Sequence, residues 1–276
     1  MNLVAQGPAL AAGDLDALSL LAKPREVREI APRAFRLLGA MKNEGIAPLC
    51  EARRIDHAWM AEGRRFADLK LLAMDMDSTL ITIECIDELG ALAGKKAEVA
   101  AVTAQAMRGE IDYPESLRRR VAAIAGLPEA SLLKVYEERL RLTPGAEALL
   151  AKCKEHGVQV LLVSGGFTFF TERLKARLGI DHTISNVLEL KDGRLTGALL
   201  GDIVDADAKA AKFLQVKKNL NARKEETVAI GDGANDLKML AEAGLSVAFR
   251  AKPLVRAQAN CALDWCGLDA AVNLFE

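Results

Sequence analysis

The sequence predicts an α/β protein: a doubly wound parallel sheet with an inserted helical cap and a small N-terminal α/β domain. Three observations carry this. Four short apolar runs, at 69–74, 158–163, 227–230 and 246–249, each end in a polar or glycine-rich turn. Continuous apolar runs of that length suit strands covered on both faces, as in a parallel sheet. Helical patterns separate most of these runs, the alternation expected of a doubly wound domain. Finally, the first two runs are much farther apart than the dozen or more residues that a crossover needs.

Residues 1–66 read as a small α/β unit, with short strands at 3–5 and 17–21. An amphipathic helix is expected over 27–42, from Ile30, Phe35, Leu37, Leu38 and Met41. The remainder, 67–276, forms the main domain, beginning with the strand at 69–74. The long segment that follows, about 82–140, has helical apolar spacing in Ile86, Leu89 and Leu92 and again in Leu132, Leu133, Val135 and Leu140, and reads as a cap. A helix over 145–155 opens behind Thr143-Pro144 and stops at Gly157; another, over 168–178, stops at Gly179. Asp192-Gly193, between alternating segments of 187–199, predicts a β-hairpin.

Composition narrows the function classes. The chain has 276 residues, 51% of them apolar, with 37 basic and 38 acidic side chains for a net charge of −1. Without a basic block, neither nucleic acid nor an anionic membrane is an expected partner. The five cysteines (Cys50, Cys85, Cys153, Cys261 and Cys266) form no C-x-x-C pair, as expected of buried thiols in a reducing cytoplasm. Asp14 and Asp16 interrupt the N-terminal apolar stretch, which argues against a signal peptide.

Four motifs sit at or near predicted strand ends, where open α/β sheets bind ligands. Asp75-Met-Asp77-Ser-Thr79 supplies paired carboxylates, able to share a cation or to divide nucleophile and acid/base roles. Ser164-Gly165-Gly166 offers a hydroxyl and backbone N–H groups that can approach an anion. Lys209 follows in Asp205-Ala-Asp207-Ala-Lys209, and Gly231-Asp232-Gly233-Ala-Asn235-Asp236 forms a hard-oxygen cluster suited to Mg²⁺. Singly each has an ordinary explanation, as a solvated loop, a tight turn or a surface lysine. Their joint order is far more specific.

That order resembles the haloacid dehalogenase superfamily of phosphohydrolases, over about residues 70–270, and implies its Rossmann-like fold. Glu84, Met107-Arg-Gly-Glu, Tyr113-x-x-Ser-Leu-Arg-x-Arg120 and Ser164-Gly-Gly-Phe extend the likeness to the bacterial branch whose members hydrolyse phosphoserine. The resemblance implies Asp75 as nucleophile and Asp77 as general acid/base. It implies Mg²⁺ held by Asp75, the backbone carbonyl of Asp77 and Asp232, with Asp236 beside its water shell. Ser164, Gly165 and Lys209 would bind the phosphoryl oxygens and Asn235 would lie near them. Glu84 and Arg120 would read the substrate's amino and carboxylate ends, and Met107 and Tyr113 would line the pocket. Many family members carry Phe where Tyr113 stands. Bacterial members often carry an N-terminal domain related to amino-acid-sensing modules, but the first 66 residues look too short for a complete copy.

Such chemistry would require Asp77 to enter the reaction protonated. Its reference pKa of about 3.9 leaves roughly one in a thousand protonated at pH 7, so burial and a neighbouring carboxylate are expected to raise it in the bound complex. Two alternatives stand beside this reading: a phosphatase or phosphotransferase for another small phosphorylated amine or alcohol, and a non-catalytic phosphoamino-acid binder. The intact set of Asp75, Asp77, Lys209 and Asp232 argues against the second. A monomer and a homodimer are both left open.

Overall fold

The computed structural model describes residues 1–276. The chain begins with strand β1 (Asn2–Gln6) and helix α1 (Ala12–Ala22), then the hairpin β2 (Glu26–Ala31) and β3 (Ala34–Leu38), helix α2 (Ile46–Arg53) and strand β4 (Asp56–Met60). These strands form an antiparallel sheet of order β2-β3-β1-β4. Two sequence expectations fail here. Residues 27–42 do not form a helix, because Pro32 lacks the amide a helix interior needs and Arg33, with φ 60°, turns the chain into a hairpin. Residues 17–21 lie in α1 rather than in a strand, and the buried Leu18 and Ala22, four apart, mark its inner face.

The small sheet buries both faces. Leu3, Ala5 and Leu37 pack with Leu18, Ile46 and Cys50 beneath α1 and α2. Val4, Ala58 and Met60 join the main core, which includes Leu268, Leu274 and Phe275 near the C-terminus. Polar contacts reinforce the seam. Gln6 Nε2 donates to the Ala270 carbonyl, and buried Arg36 donates to those of Asn273 and Phe275. Buried Asp56, at the start of β4, accepts from the amides of Asp264, Trp265 and Cys266 at 2.7–3.2 Å. Because three partly buried amides would lose a charged acceptor together, Asp56→Ala is expected to lower stability by about 3 kcal/mol, measured by urea denaturation.

The main domain opens with β5 (Leu71–Asp75). The cap follows, with helices α3 (Cys85–Leu92), α4 (Lys96–Met107), α5 (Tyr113–Ala123) and α6 (Ala130–Lys134). An antiparallel bridge between Ile81 and Leu142 brings its two ends together. Next come α7 (Ala146–Glu155), β6 (Gln159–Phe167), α8 (Thr168–Leu178), β7 (His182–Lys191) and β8 (Arg194–Leu200). The chain continues through α9 (Ala206–Asn219), β9 (Thr227–Gly231), α10 (Leu237–Glu242), β10 (Leu245–Phe249), α11 (Pro253–Gln258) and β11 (Cys261–Leu263).

The sheet order is β11-β10-β9-β5-β6-β7-β8, parallel except at the β7–β8 edge. That edge is the predicted hairpin: Asp192 (φ 50°) and Gly193 (φ 72°) both take the left-handed conformation that a tight type I′ turn requires. Strand β5 pairs with β6 on one side and β9 on the other, so the winding reverses at β5. A crevice at such a reversal, beyond the strand C-termini, is the expected ligand site. No helix is long and apolar enough to cross a membrane.

Candidate active site

The three strands meeting at the reversal deliver the predicted motifs to one place. A cavity of about 830 Å³ lies beyond their C-terminal ends, beneath the cap, within the usual size range for small-ligand sites. Its core-side lining includes Asp75, Asp77, Gly165, Asp232 and Asn235, and its cap-side lining includes Glu84, Met107, Tyr113 and Arg120. Ser164, Lys209 and Asp236 are fully buried and do not line it.

Asp75 ends β5. Residues 76–80 then make a tight turn in which Asp77 is extended and Ser78 is left-handed, at φ 57°. Asp77 Oδ1 accepts from the Cys85 amide at 2.8 Å, and its Oδ2 accepts from Ser164 Oγ at 3.3 Å. Gly166 leaves room for this carboxylate, since an added Cβ would lie 2.7 Å from Asp77 Oδ2 and force it to shift. Ser78 Oγ donates to Glu84 Oε1 at 2.6 Å, setting Glu84 at the entrance to α3.

Lys209, on the first turns of α9, donates from Nζ to Asp75 Oδ1 at 2.6 Å and Asp236 Oδ1 at 2.7 Å. Asp205 caps that helix, accepting from the Ala208 amide at 2.9 Å. Burial alone would favour neutral Lys209, but Asp236 and Asp75 hold its pKa well above the usual lysine value. Carboxylate oxygens of Asp75, Asp232 and Asp236 lie within 4.8 Å of one another, a geometry that could hold a metal ion. Burial and then the charge of Asp236 push Asp75 well above the ordinary carboxylate range and Asp232 up to about 7. Three crowded carboxylates facing one buried ammonium leave unmet demand for positive charge, and their hard oxygens suit a hard divalent cation.

Asp77 is raised to about 7, first by burial and then by the charge of Glu84. The direction agrees with the expected rise, and Glu84 is a contributing carboxylate. Sequence reasoning missed several groups here. Asp87 and Lys252 line the cavity, while Thr79 Oγ1 donates to Asp232 Oδ1 at 3.3 Å. Thr79 could have been read from its place in the first motif. Asp87 and Lys252 carried no comparable signal.

Residues 72–241 match the family described as haloacid dehalogenase-like hydrolase. The chain belongs to this family. Among haloacid dehalogenase-like relatives, a Polaromonas phosphoserine phosphatase is 55% identical over 215 residues, covering 76% of this chain and 91% of the relative. The unliganded crystal structure of a probable phosphoserine phosphatase from Vibrio cholerae is 36% identical, with a TM-score of 0.87, covering 99% of this chain and 86% of that one. That coverage includes the small N-terminal sheet. A structure described as the phospho-aspartyl intermediate analogue of phosphoserine phosphatase is 37% identical, with a TM-score of 0.71, covering 75% of this chain and 99% of that one.

Proposed function

We propose that this protein is a Mg²⁺-dependent phosphoserine phosphatase, hydrolysing O-phospho-L-serine to L-serine and phosphate through an aspartyl-phosphate on Asp75. The observation that carries the reading is the pairing of Asp75 and Asp77, one cavity wall opposite a cap wall bearing Glu84 and Arg120. A phosphomonoester brings nearly two negative charges to a site already rich in carboxylates. At an effective dielectric near 20, each like pair at about 4 Å costs on the order of 4 kcal/mol. Mg²⁺, held by Asp75, the backbone carbonyl of Asp77 and Asp232 with Asp236 nearby, would supply the charge that lets the phosphoryl group approach a carboxylate.

Lys209 orients Asp75 and balances the buried charge. Asp75 attacks phosphorus as the bond to the seryl oxygen breaks, and protonated Asp77 gives its proton to that oxygen. Ionised Asp77 then takes a proton from water, which attacks the phosphoryl group and restores Asp75. Ser164, Gly165 and Asn235 hold the phosphoryl oxygens. Glu84 pairs with the substrate ammonium and Arg120 with its carboxylate, for which a guanidinium fork is well shaped. Met107, at the exposed end of α4, and Tyr113 form the cap wall over the substrate. The setting is the last step of serine biosynthesis, in the cytoplasm, with a small-molecule substrate; a homodimer is compatible with this reading.

A phosphate-release panel tests the proposal. Phosphoserine should exceed phosphothreonine and sugar phosphates in kcat/KM by at least about tenfold, and EDTA should abolish release. A flat profile points instead to another small phosphorylated metabolite, and EDTA-resistant turnover rejects the metal. Arg120→Ala should lower kcat/KM on phosphoserine by about a hundredfold, through loss of a charged contact. It should affect p-nitrophenyl phosphate far less, and equal losses on both substrates would remove Arg120 from specificity.

A further inference from the structure

Asn186 lies on β7 and is buried. Both ends of that amide are used. Nδ2 donates to the Gly165 carbonyl at 2.8 Å, and Oδ1 accepts from the Val204 amide at 2.8 Å. Reversing the amide would set like groups against each other at both contacts, so the two partners fix its orientation.

The Gly165 carbonyl and the Gly166 N–H belong to one planar peptide and point in opposite directions. Holding the carbonyl therefore sets the direction of the N–H. Tyr113 adds a second donor from the cap, its hydroxyl 3.2 Å from the same oxygen. On the other side of the peptide, Gly166 N–H donates to Ser164 Oγ at 2.8 Å. With a lone pair of Ser164 thus engaged, its own proton is aimed towards Asp77 Oδ2, 3.3 Å away. At its other end Asn186 holds Val204, next to the Asp205 cap of the helix that carries Lys209.

We infer that Asn186 is a positioning residue for phosphoryl binding: its amide locks the Gly165–Gly166 peptide, aims the Ser164 hydroxyl, and ties that loop to the segment bearing Lys209. The inference rests on the proposed contact of Ser164 and Gly165 with the phosphoryl group. Asn186→Asp retains an acceptor for Val204 but sets a carboxylate oxygen against the Gly165 carbonyl. Asn186→Ala removes both contacts without adding charge, and serves where the buried carboxylate prevents folding. Thr171→Val is the control. Thr171 is buried and its hydroxyl lies 2.7 Å from that of Ser185, the neighbour of Asn186, yet it bonds to neither loop.

The experiment measures KM for phosphoserine and the competitive inhibition constant of inorganic phosphate, on Mg²⁺-loaded protein. Neither quantity depends on the fraction of active molecules. Both should rise by about tenfold or more in the Asn186 variants, as an unanchored peptide loses its hydrogen-bonding direction, and stay within about twofold in Thr171→Val. An unchanged phosphate constant in Asn186→Ala, with Vmax alone reduced, overturns the inference. So does an equal rise in Thr171→Val. Wild-type protein indifferent to phosphate would instead remove Ser164 and Gly165 from the phosphoryl site, and the inference with them.

Discussion

Asp75→Asn is expected to leave less than about 1% of phosphoserine turnover in a protein that remains folded. The carboxamide has nearly the same shape, and its oxygen can still accept the Lys209 ammonium that now sits 2.6 Å from Asp75 Oδ1. What it loses is nucleophilicity: an amide oxygen does not displace an alkoxide from phosphorus at a useful rate. The strand itself is undisturbed, since the pairing of β5 with β6 and β9 is made by backbone groups. The melting temperature should accordingly stay within about 5 °C of the parent. Rapid acid quench with labelled substrate gives the direct measurement, with label on the parent protein and none on the variant. Labelled Asp75→Asn, or residual activity above that level, would move the nucleophile to another residue.

The core-side wall of the cavity was legible because its polar groups follow the strands. An apolar run that stops abruptly at Asp75, another that stops at Ser164 and a third at Gly231 place three polar clusters on one sheet edge before any contact is known. Lys209 could not be found that way. A lone lysine is usually solvated, and the resemblance to a known family singled it out. Asn186 was less visible still: one amide within a strand has no pattern, and its importance lies in two backbone groups far away in sequence.

The N-terminal unit was misread for local reasons. Residues 27–42 have apolar spacing that fits a helix, but Pro32 and the left-handed Arg33 decide for a hairpin. In 12–22 the apolar density suggested a strand over 17–21, whereas the spacing of Leu18 and Ala22 has the helical period. The cap was legible as helical from its own periodicity, but the pairing of Ile81 with Leu142 that joins its ends depends on tertiary contact.

Lys209→Met carries the second large effect, and it separates charge from packing. Methionine nearly fills the volume of the lysine stem but brings no charge, leaving Asp75 and Asp236 without the donor that now reaches both. Removing one partner from a buried ionic cluster typically costs about 3–5 kcal/mol, so in EDTA the variant should melt well below the parent. Turnover should fall by about a thousandfold, because the ammonium that orients Asp75 and balances the buried carboxylates is gone. The informative quantity is the change in melting temperature between EDTA and excess Mg²⁺. In the parent, Lys209 already neutralises part of the cluster formed by Asp75, Asp232 and Asp236. In the variant the divalent ion would be the only cation within reach of all three, so the stabilisation by Mg²⁺ should be larger. If both proteins gain equally from Mg²⁺, the lysine and the ion do not answer the same excess of negative charge, and the electrostatic account of the site is wrong even where the loss of activity agrees with it.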